Sequence, residues 1–392
     1  MPSFGPALRS EWMLDPAITY LNHGTVGAPP RRVLAAQQAI RDEVESQPAR
    51  FLLRELADTG GSGVPAHPRM RQAAARVATF VGAEADDIAF VDNTTTGANA
   101  VLRSFPFEAG DEILVTSSGY GGVTNAARYA ADRAGATVRT LTMPTIGSPP
   151  EAFTAAIDGA ISPRTRIALV DHISAETALV LPVADIAQRC HAKGVLVLVD
   201  GAHGPGSVAL DIPALGVDWY IGNLHKWAWA PRSSGLLWTA KARQGDLHAA
   251  VISWGYGNGL AAEFDHPGTR DPTPFLAAPA ALDLLDDYGF ADVRAYNHNL
   301  ARCAGRLLAE RWDVPFDTPD SMIATMVRVR LPASFGTTRD DAEALRAALH
   351  DIDRFEVPIY PGARGLSLRV SAQIYVDLDD IGRLATAVEA RR

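Results

Sequence analysis

The segment that most limits how this 392-residue chain can fold is Val195-Leu196-Val197-Leu198-Val199-Asp200. An unbroken apolar run without polar alternation describes a strand buried on both faces, as in parallel sheets covered by helices. A carboxylate at the end of such a run is delivered to the C-terminal edge of the sheet, where open α/β sheets keep their ligands. Asp200 leads into Gly201-Ala202-His203, and further on come Asn223-Leu224-His225-Lys226-Trp227 and Trp229. One strand and one turn fold that lysine back toward the acid. An acid, histidines and a lysine converging in an apolar setting point to a covalent amine nucleophile.

The chain around this segment alternates strand and helix. Ile113–Thr116 and Ile167–Val170 read as further strands, with helices at about Thr124–Ala134, Glu151–Ile161 and Val183–Ala192. Such alternation predicts right-handed crossovers and an α/β fold whose large domain has a mainly parallel sheet flanked by helices. Upstream, a helix with Val33, Ala36, Ile40 and Val44 on one face follows Pro29 and Pro30. The stretch before it, Tyr20-Leu21-Asn22-His23-Gly24, reads as a loop. Pro48 to Pro65 reads as an irregular Gly-rich connector, followed by a helix over His67–Val81. A long helical stretch from about Phe275 to Trp312 precedes two strand-like runs, Met322–Leu331 and Leu366–Ser371. Helices over Asp340–Leu349 and Leu378–Ala390 cover them. The reading is a large domain with an N-terminal arm over 1–280 and a smaller C-terminal α/β domain over 281–392.

Composition narrows the function. Thirty-six basic against 45 acidic residues give a net charge of −9, which argues against nucleic acid or an anionic membrane as partner. There is no run of 18 apolar residues, and the start, Met1 to Pro6, lacks the basic and apolar regions of a secretory signal. The two cysteines, Cys190 and Cys303, fall in separate helical patterns and read as reduced, so cytoplasm is the expected compartment. The spacing of His191, His203 and His225 makes no metal-ligand set. No GxGxxG follows a strand, so a nicotinamide-binding protein lacks its main signal, and a non-catalytic relative would be expected to lose the lysine or the acid.

A lysine that forms a Schiff base with pyridoxal 5′-phosphate needs four kinds of support. Asp200 fits the carboxylate opposite the ring nitrogen. Tyr120, flanked by glycines after a strand, fits a flat partner for the ring. Thr94 and Thr95, at a strand-to-helix turn, fit an anion cradle together with His225. Arg369 fits a bidentate receptor for a substrate carboxylate. Each has a duller alternative alone: a helix cap, a core histidine, a surface ion pair, a solvated lysine. Their joint order carries the reading.

On these residues the chain resembles the class V aminotransferase-fold enzymes, in the isopenicillin N epimerase-like branch related to cysteine desulfurases and C–S lyases. The resemblance covers nearly the whole chain and rests on Tyr20-Leu21-Asn22-His23-Gly24, Asn93-Thr94-Thr95, Asp200-Gly201-Ala202-His203, His225-Lys226-Trp227, Gly268-Thr269-Arg270-Asp271 and Arg369-Val370-Ser371. It implies a fold-type I enzyme with Lys226 as cofactor anchor and proton shuttle at Cα, Asp200 on the pyridine nitrogen and His203 near the phenolic oxygen. It also implies Thr94, Thr95 and His225 on phosphate, Tyr120 on the ring and Thr269 on the phosphate of a second subunit in a homodimer with shared sites. Arg369 would hold the α-carboxylate, and Asn22 and His23 would line the substrate side. Two departures stand out. The loop Tyr360–Gly365 lacks the mobile cysteine of a desulfurase, and Asn223 replaces a serine common in relatives.

The expected reaction starts with loss of a Cα proton. Elimination of a thiol from an S-substituted cysteine, in sulfur or secondary metabolism, stands ahead of epimerisation. The latter needs a second acid, for which His23 and Tyr256 are candidates. Transamination and decarboxylation-linked deamination are further alternatives. The aromatic, Gly-rich loop Ser253–Gly259 suggests a sizeable substrate side chain.

Overall fold

The computed structural model describes residues 4–58 and 67–392. Part of the expected Gly-rich connector, and the first three residues, lie outside them. The described part of that connector is helical, with a turn at Pro48–Arg50 running into a π-turn at Phe51–Glu55.

Twelve strands are formed among the described residues. In chain order they are β1 (Thr19–Tyr20), β2 (Ile88–Val91), β3 (Glu112–Thr116), β4 (Thr137–Leu141), β5 (Thr165–Asp171), β6 (Leu196–Gly201), β7 (Trp219–Asn223) and β8 (Gly235–Thr239), then β9 (Met326–Arg330), β10 (Phe355–Glu356), β11 (Ile359–Tyr360) and β12 (Ser367–Ser371). The main sheet has seven strands in the order β2-β8-β7-β6-β5-β3-β4. Only β8 runs antiparallel to its neighbours. The Val195 run is β6, central between β5 and β7, and Val197, Leu198 and Val199 are fully buried. The unbroken apolar run thus reports a strand with helices on both faces, as expected. Strand β4 escaped the periodicity because it is an edge strand with no fully buried residue, carrying Arg139 and two threonines in five residues.

The C-terminal ends of β2, β3, β5, β6 and β7 all open on one edge of the sheet, and their following turns carry Thr94, Tyr120, His172, His203 and Lys226. The turn after β2 enters the helix Thr94–Ser104, whose N-cap Asn93 accepts a hydrogen bond from the Thr96 N–H.

A second sheet, β11-β12-β9, is antiparallel. The helices Phe290–Trp312 and Leu378–Glu389 pack together beside it. The expected long helix from Phe275 is broken into Thr273–Leu276, Ala278–Tyr288 and Phe290–Trp312. Gly289, at φ 80°, ends the middle piece in a conformation that disfavours other residues.

The N-terminal segment is held by the C-terminal part of the chain. Strand β1 pairs in parallel with β10, Gly5 N–H donates to Ile374 O, and Ser371 N–H donates to Leu21 O. Arg9 reaches the fully buried Asp380, which also receives Arg383 and closes a capping box with Asp377. A buried carboxylate is tolerated there because it is paired and hydrogen-bonded. Asp380→Ala is expected to lower stability in urea unfolding by about 2 kcal/mol and to expose Arg9 to trypsin, since one residue serves both the helix cap and the arm. Unchanged stability and cleavage would show that the arm is held by its backbone ladder alone.

Candidate active site

A cavity of about 560 Å³ lies at the C-terminal edge of the main sheet. Thr94, Thr95, Tyr120, Asp171, Asp200, His203, Asn223, His225 and Lys226 line it. The turn that carries Lys226 is clamped from two sides. His225 N–H donates to Ser234 O, and Ala230 N–H donates to Leu224 O. A β-carbon on Gly206, at φ 86°, would meet the Trp227 backbone at 2.2 Å, and one on Gly27 would meet His225 O at 1.8 Å. Both positions need glycine because another backbone runs directly against them.

Lys226 Nζ lies 3.2 Å from His203 Nε2. The other ring nitrogen of His203 accepts the Trp227 indole N–H at 3.2 Å. An indole only donates, so a neutral His203 carries its proton on Nε2 and presents it to the lysine nitrogen. Burial holds the His203 imidazole well below its usual pKa, with Lys226 adding to the effect. Burial also lowers the Lys226 pKa to about 8; Asp200 opposes this and Arg369 adds to it. A lysine amine in this state is a far better nucleophile at neutral pH than a solvated one.

Asp200 is 2% exposed, with one carboxylate oxygen accepting the Ala202 N–H and the other without a partner. The β5/β6 register sets Asp171 directly beside it. Burial and the charge of Asp200 push the Asp171 carboxyl well above its usual range, and it accepts from Thr116 Oγ1 at 3.2 Å. Burial raises the Asp200 pKa as well, while the Ala202 N–H and Lys226 oppose it. Reasoning on the sequence missed Asp171, although it carries the same signal as Asp200: the apolar run Ile167–Val170 ends on it.

The anion cradle is formed at the helix start. Asn223, the residue that departs from the usual serine, accepts the Thr94 N–H at 3.0 Å. His225 donates from Nδ1 to Ser234 O at 2.8 Å, which leaves Nε2 free. Desolvation lowers its pKa to about 4, and a bound anion would raise it again. Tyr120 stands at the rim and is 52% exposed.

Arg369 lies behind the cavity wall, 2% exposed. It donates to Ala175 O and, at 2.8 Å, to Thr25 Oγ1, with Asn22 Oδ1 at 3.4 Å, and its Nε has no partner. Among the described residues no carboxylate pairs with it. A buried guanidinium facing only neutral oxygens is costly in a folded chain, and an anion would offset that cost.

Three candidate residues lie outside the cavity lining of their own chain, which for Thr269 accords with its expected reach to a second subunit. His23 is fully buried, with Nδ1 on the Tyr375 hydroxyl at 2.9 Å and Nε2 on Lys226 O at 3.0 Å, so it pins the lysine backbone and has no free nitrogen to act as an acid. Tyr256 is 57% exposed and packs on His248 with ring centroids 5.0 Å apart. Thr269 is exposed on a loop outside the cavity lining. Cys190 and Cys303 are free, and neither is a lining residue.

Residues 20–348 match the family described as aminotransferase class V. Isopenicillin N epimerase of Streptomyces clavuligerus is 34% identical over 400 residues, covering 97% of this chain and 97% of that protein. A probable chloroplastic L-cysteine desulfhydrase of Arabidopsis thaliana is 32% identical, covering 95% of this chain and 83% of its own. Among solved structures, the complex of the cystine C–S lyase C-DES with its reaction product cysteine persulfide has a TM-score of 0.77 at 23% identity, over 95% of this chain and 97% of that one.

The lowered lysine pKa predicts how the chain reacts with an aldehyde. Trapping of pyridoxal on the apoprotein with borohydride should rise with pH around a midpoint near 8, because deprotonation frees the amine, and Lys226→Ala should abolish it. A midpoint near 10.5, the ordinary lysine value, would show that the amine is not desolvated. Gly206→Ala should displace the lysine turn and slow trapping at every pH, a shift in rate without a shift in midpoint.

Proposed function

Given that the chain belongs to the aminotransferase class V family and is a pyridoxal phosphate-dependent enzyme, we propose that it cleaves the C–S bond of an S-substituted cysteine by β-elimination, giving a thiol, pyruvate and ammonia. The residues present fit the cofactor. Asp200 offers its unpartnered carboxylate oxygen to a ring nitrogen, His203 offers Nε2–H to a phenolic oxygen, and Tyr120 covers the ring. Thr94, Thr95 and His225 line the cavity at the start of the helix Thr94–Ser104 and would hold the cofactor's phosphate. When bound, pyridoxal phosphate supplies an aldehyde that joins an amine and a ring that accepts the electron pair left by a departing Cα proton.

This chain's residues do the rest. Arg369 takes the substrate α-carboxylate, releasing Thr25 and the Ala175 carbonyl, and so fixes which way Cα points. Lys226, neutral near pH 8, removes the Cα proton. The Asp200 carboxylate, with one oxygen unpartnered, favours electron flow away from Cα. The proton held at Lys226 Nζ is then available to the leaving sulfur.

The observation that favours elimination is that, among the described lining residues, His203 and His225 serve the ring oxygen and the phosphate in this reading, which leaves Lys226 as the amine available for the Cα proton. Neither His23 nor Tyr256 faces the cavity of its own chain, so inversion lacks the second acid expected from sequence. The similarity to isopenicillin N epimerase favours epimerisation as the second reading. We also propose a homodimer in which Thr269 reaches the neighbouring phosphate, a division of the chain near residue 280, and a cytoplasmic setting that suits two free cysteines.

The purified protein should be yellow, and Lys226→Ala should lose the colour. A panel of S-substituted L-cysteines should yield pyruvate and thiol in equal amounts. A colourless protein that takes up no added cofactor, or turnover to the D-amino acid without pyruvate, would contradict the proposal. Arg369→Leu should raise KM by about a hundredfold with a smaller change in kcat, because a buried charge-assisted pair to the carboxylate is lost.

A further inference from the structure

A second cavity, of about 460 Å³, adjoins the first across the 174–178 turn: Ala175 lines the lysine cavity and Thr177 lines this one. Its basic wall is built by the small sheet. In the β9/β12 ladder Arg328 stands directly opposite Arg369, and Arg330 stands opposite Ser367. Cross-strand partners share a face, as do residues two apart on one strand. Arg369, Arg328 and Arg330 therefore form a row on one face, and Arg364 joins from the loop that follows β11. The Tyr360 ring touches two members of the row, with its centroid 5.4 Å from the Arg328 guanidinium and 5.8 Å from that of Arg369.

Like charges directly opposite each other destabilise a ladder, and the compensation here is thin. Arg328 pairs at 2.8 Å with Glu176, itself 49% exposed, and donates to Ser367 Oγ at 2.6 Å. Among the described residues Arg330, Arg364 and Arg369 have no ion pair, and Asp317 is the one carboxylate in the cavity lining. Arg369 and Arg330 are unpaired on one face of the ladder and Arg364 is unpaired on the loop beside them, an arrangement that suits a ligand with two acid groups.

We propose that this row binds a second carboxylate, carried on the sulfur substituent of the substrate. Arg369 holds the α-carboxylate while Arg330 and Arg364 hold the distal one, with the connecting chain lying over Tyr360. Arg369 and Arg330 are diagonal neighbours whose Cα atoms are about 7–8 Å apart. That span matches two carboxyl carbons separated by about five chain atoms at ordinary bond lengths, as in S-(2-carboxyethyl)-L-cysteine. The substrate class is thus a dicarboxylic thioether amino acid. Naming sulfur rests on the elimination reading; the second carboxylate does not.

Two measurements on the holoenzyme separate these claims. By calorimetry, pimelate should bind at least about tenfold more tightly than heptanoate, the increment of a charge-assisted hydrogen-bonded pair, and Arg330→Gln combined with Arg364→Gln should erase the difference. Equal affinities in the wild type, or a difference that survives in the double variant, would overturn the second site. In turnover, the KM of S-(2-carboxyethyl)-L-cysteine should lie below that of S-butyl-L-cysteine by a similar factor, and the ratio should fall toward one in the variant. If neither compound releases thiol and pyruvate, the elimination reading fails while the pimelate titration still decides the anion site. If both are cleaved with equal KM, the elimination reading stands and the second site falls.

Discussion

The site depends on keeping one amine dry. Lys226 is half-buried and desolvation lowers its pKa to about 8, so far more of the side chain is uncharged at neutral pH than in a solvated lysine. That state is prepared by packing: Gly27 and Gly206 admit backbone contact on both sides of the lysine turn, and His23 ties its carbonyl. Trp227 then sets the tautomer of His203, and His203 presents a proton to the amine instead of competing for one. An indole, an imidazole and an amine in series fix a proton's position with three side chains from two neighbouring turns.

Around this amine the buried charges divide the work. The paired ends of β5 and β6 put two carboxyl groups side by side, and burial together with the charge of Asp200 pushes the Asp171 carboxyl well above its usual range. Asp200 is then free to hold its charge with one oxygen unused. Arg369 is the opposite case, a buried cation with neutral partners, waiting for an anion. Both are expensive in a protein that binds nothing, and both become satisfied when a planar cation and a carboxylate enter. The arginine row on β9 and β12 extends the same logic outward from the α-carboxylate site.

Much of this was legible in the chain because burial writes itself into sequence. The apolar run into Asp200 gave the central strand and the acid together, and the Thr94–Thr95 turn stood where a helix starts. Strand β4 was hidden since an edge strand need not be apolar. Asp171 was readable from the end of its own apolar run but lacked a motif to draw attention to it. His23 was misjudged as a substrate-side group: a histidine beside glycine in a polar stretch looks like a loop residue, and only the fold shows Tyr375 and Lys226 O closing both its nitrogens. The arginine row was invisible for a related reason. Arg369 lies some forty residues from Arg328 and Arg330, and only the ladder register brings them onto one face.

In the proposed elimination Lys226 alone moves the proton at Cα, from one face. The most direct test is the configuration of unreacted substrate recovered from heavy water part-way through turnover of an S-substituted L-cysteine. A single base on one face leaves recovered amino acid that is still L, with deuterium at Cα where exchange has occurred, alongside labelled pyruvate. Recovery of D-amino acid carrying deuterium would show a second acid on the opposite face and would contradict it.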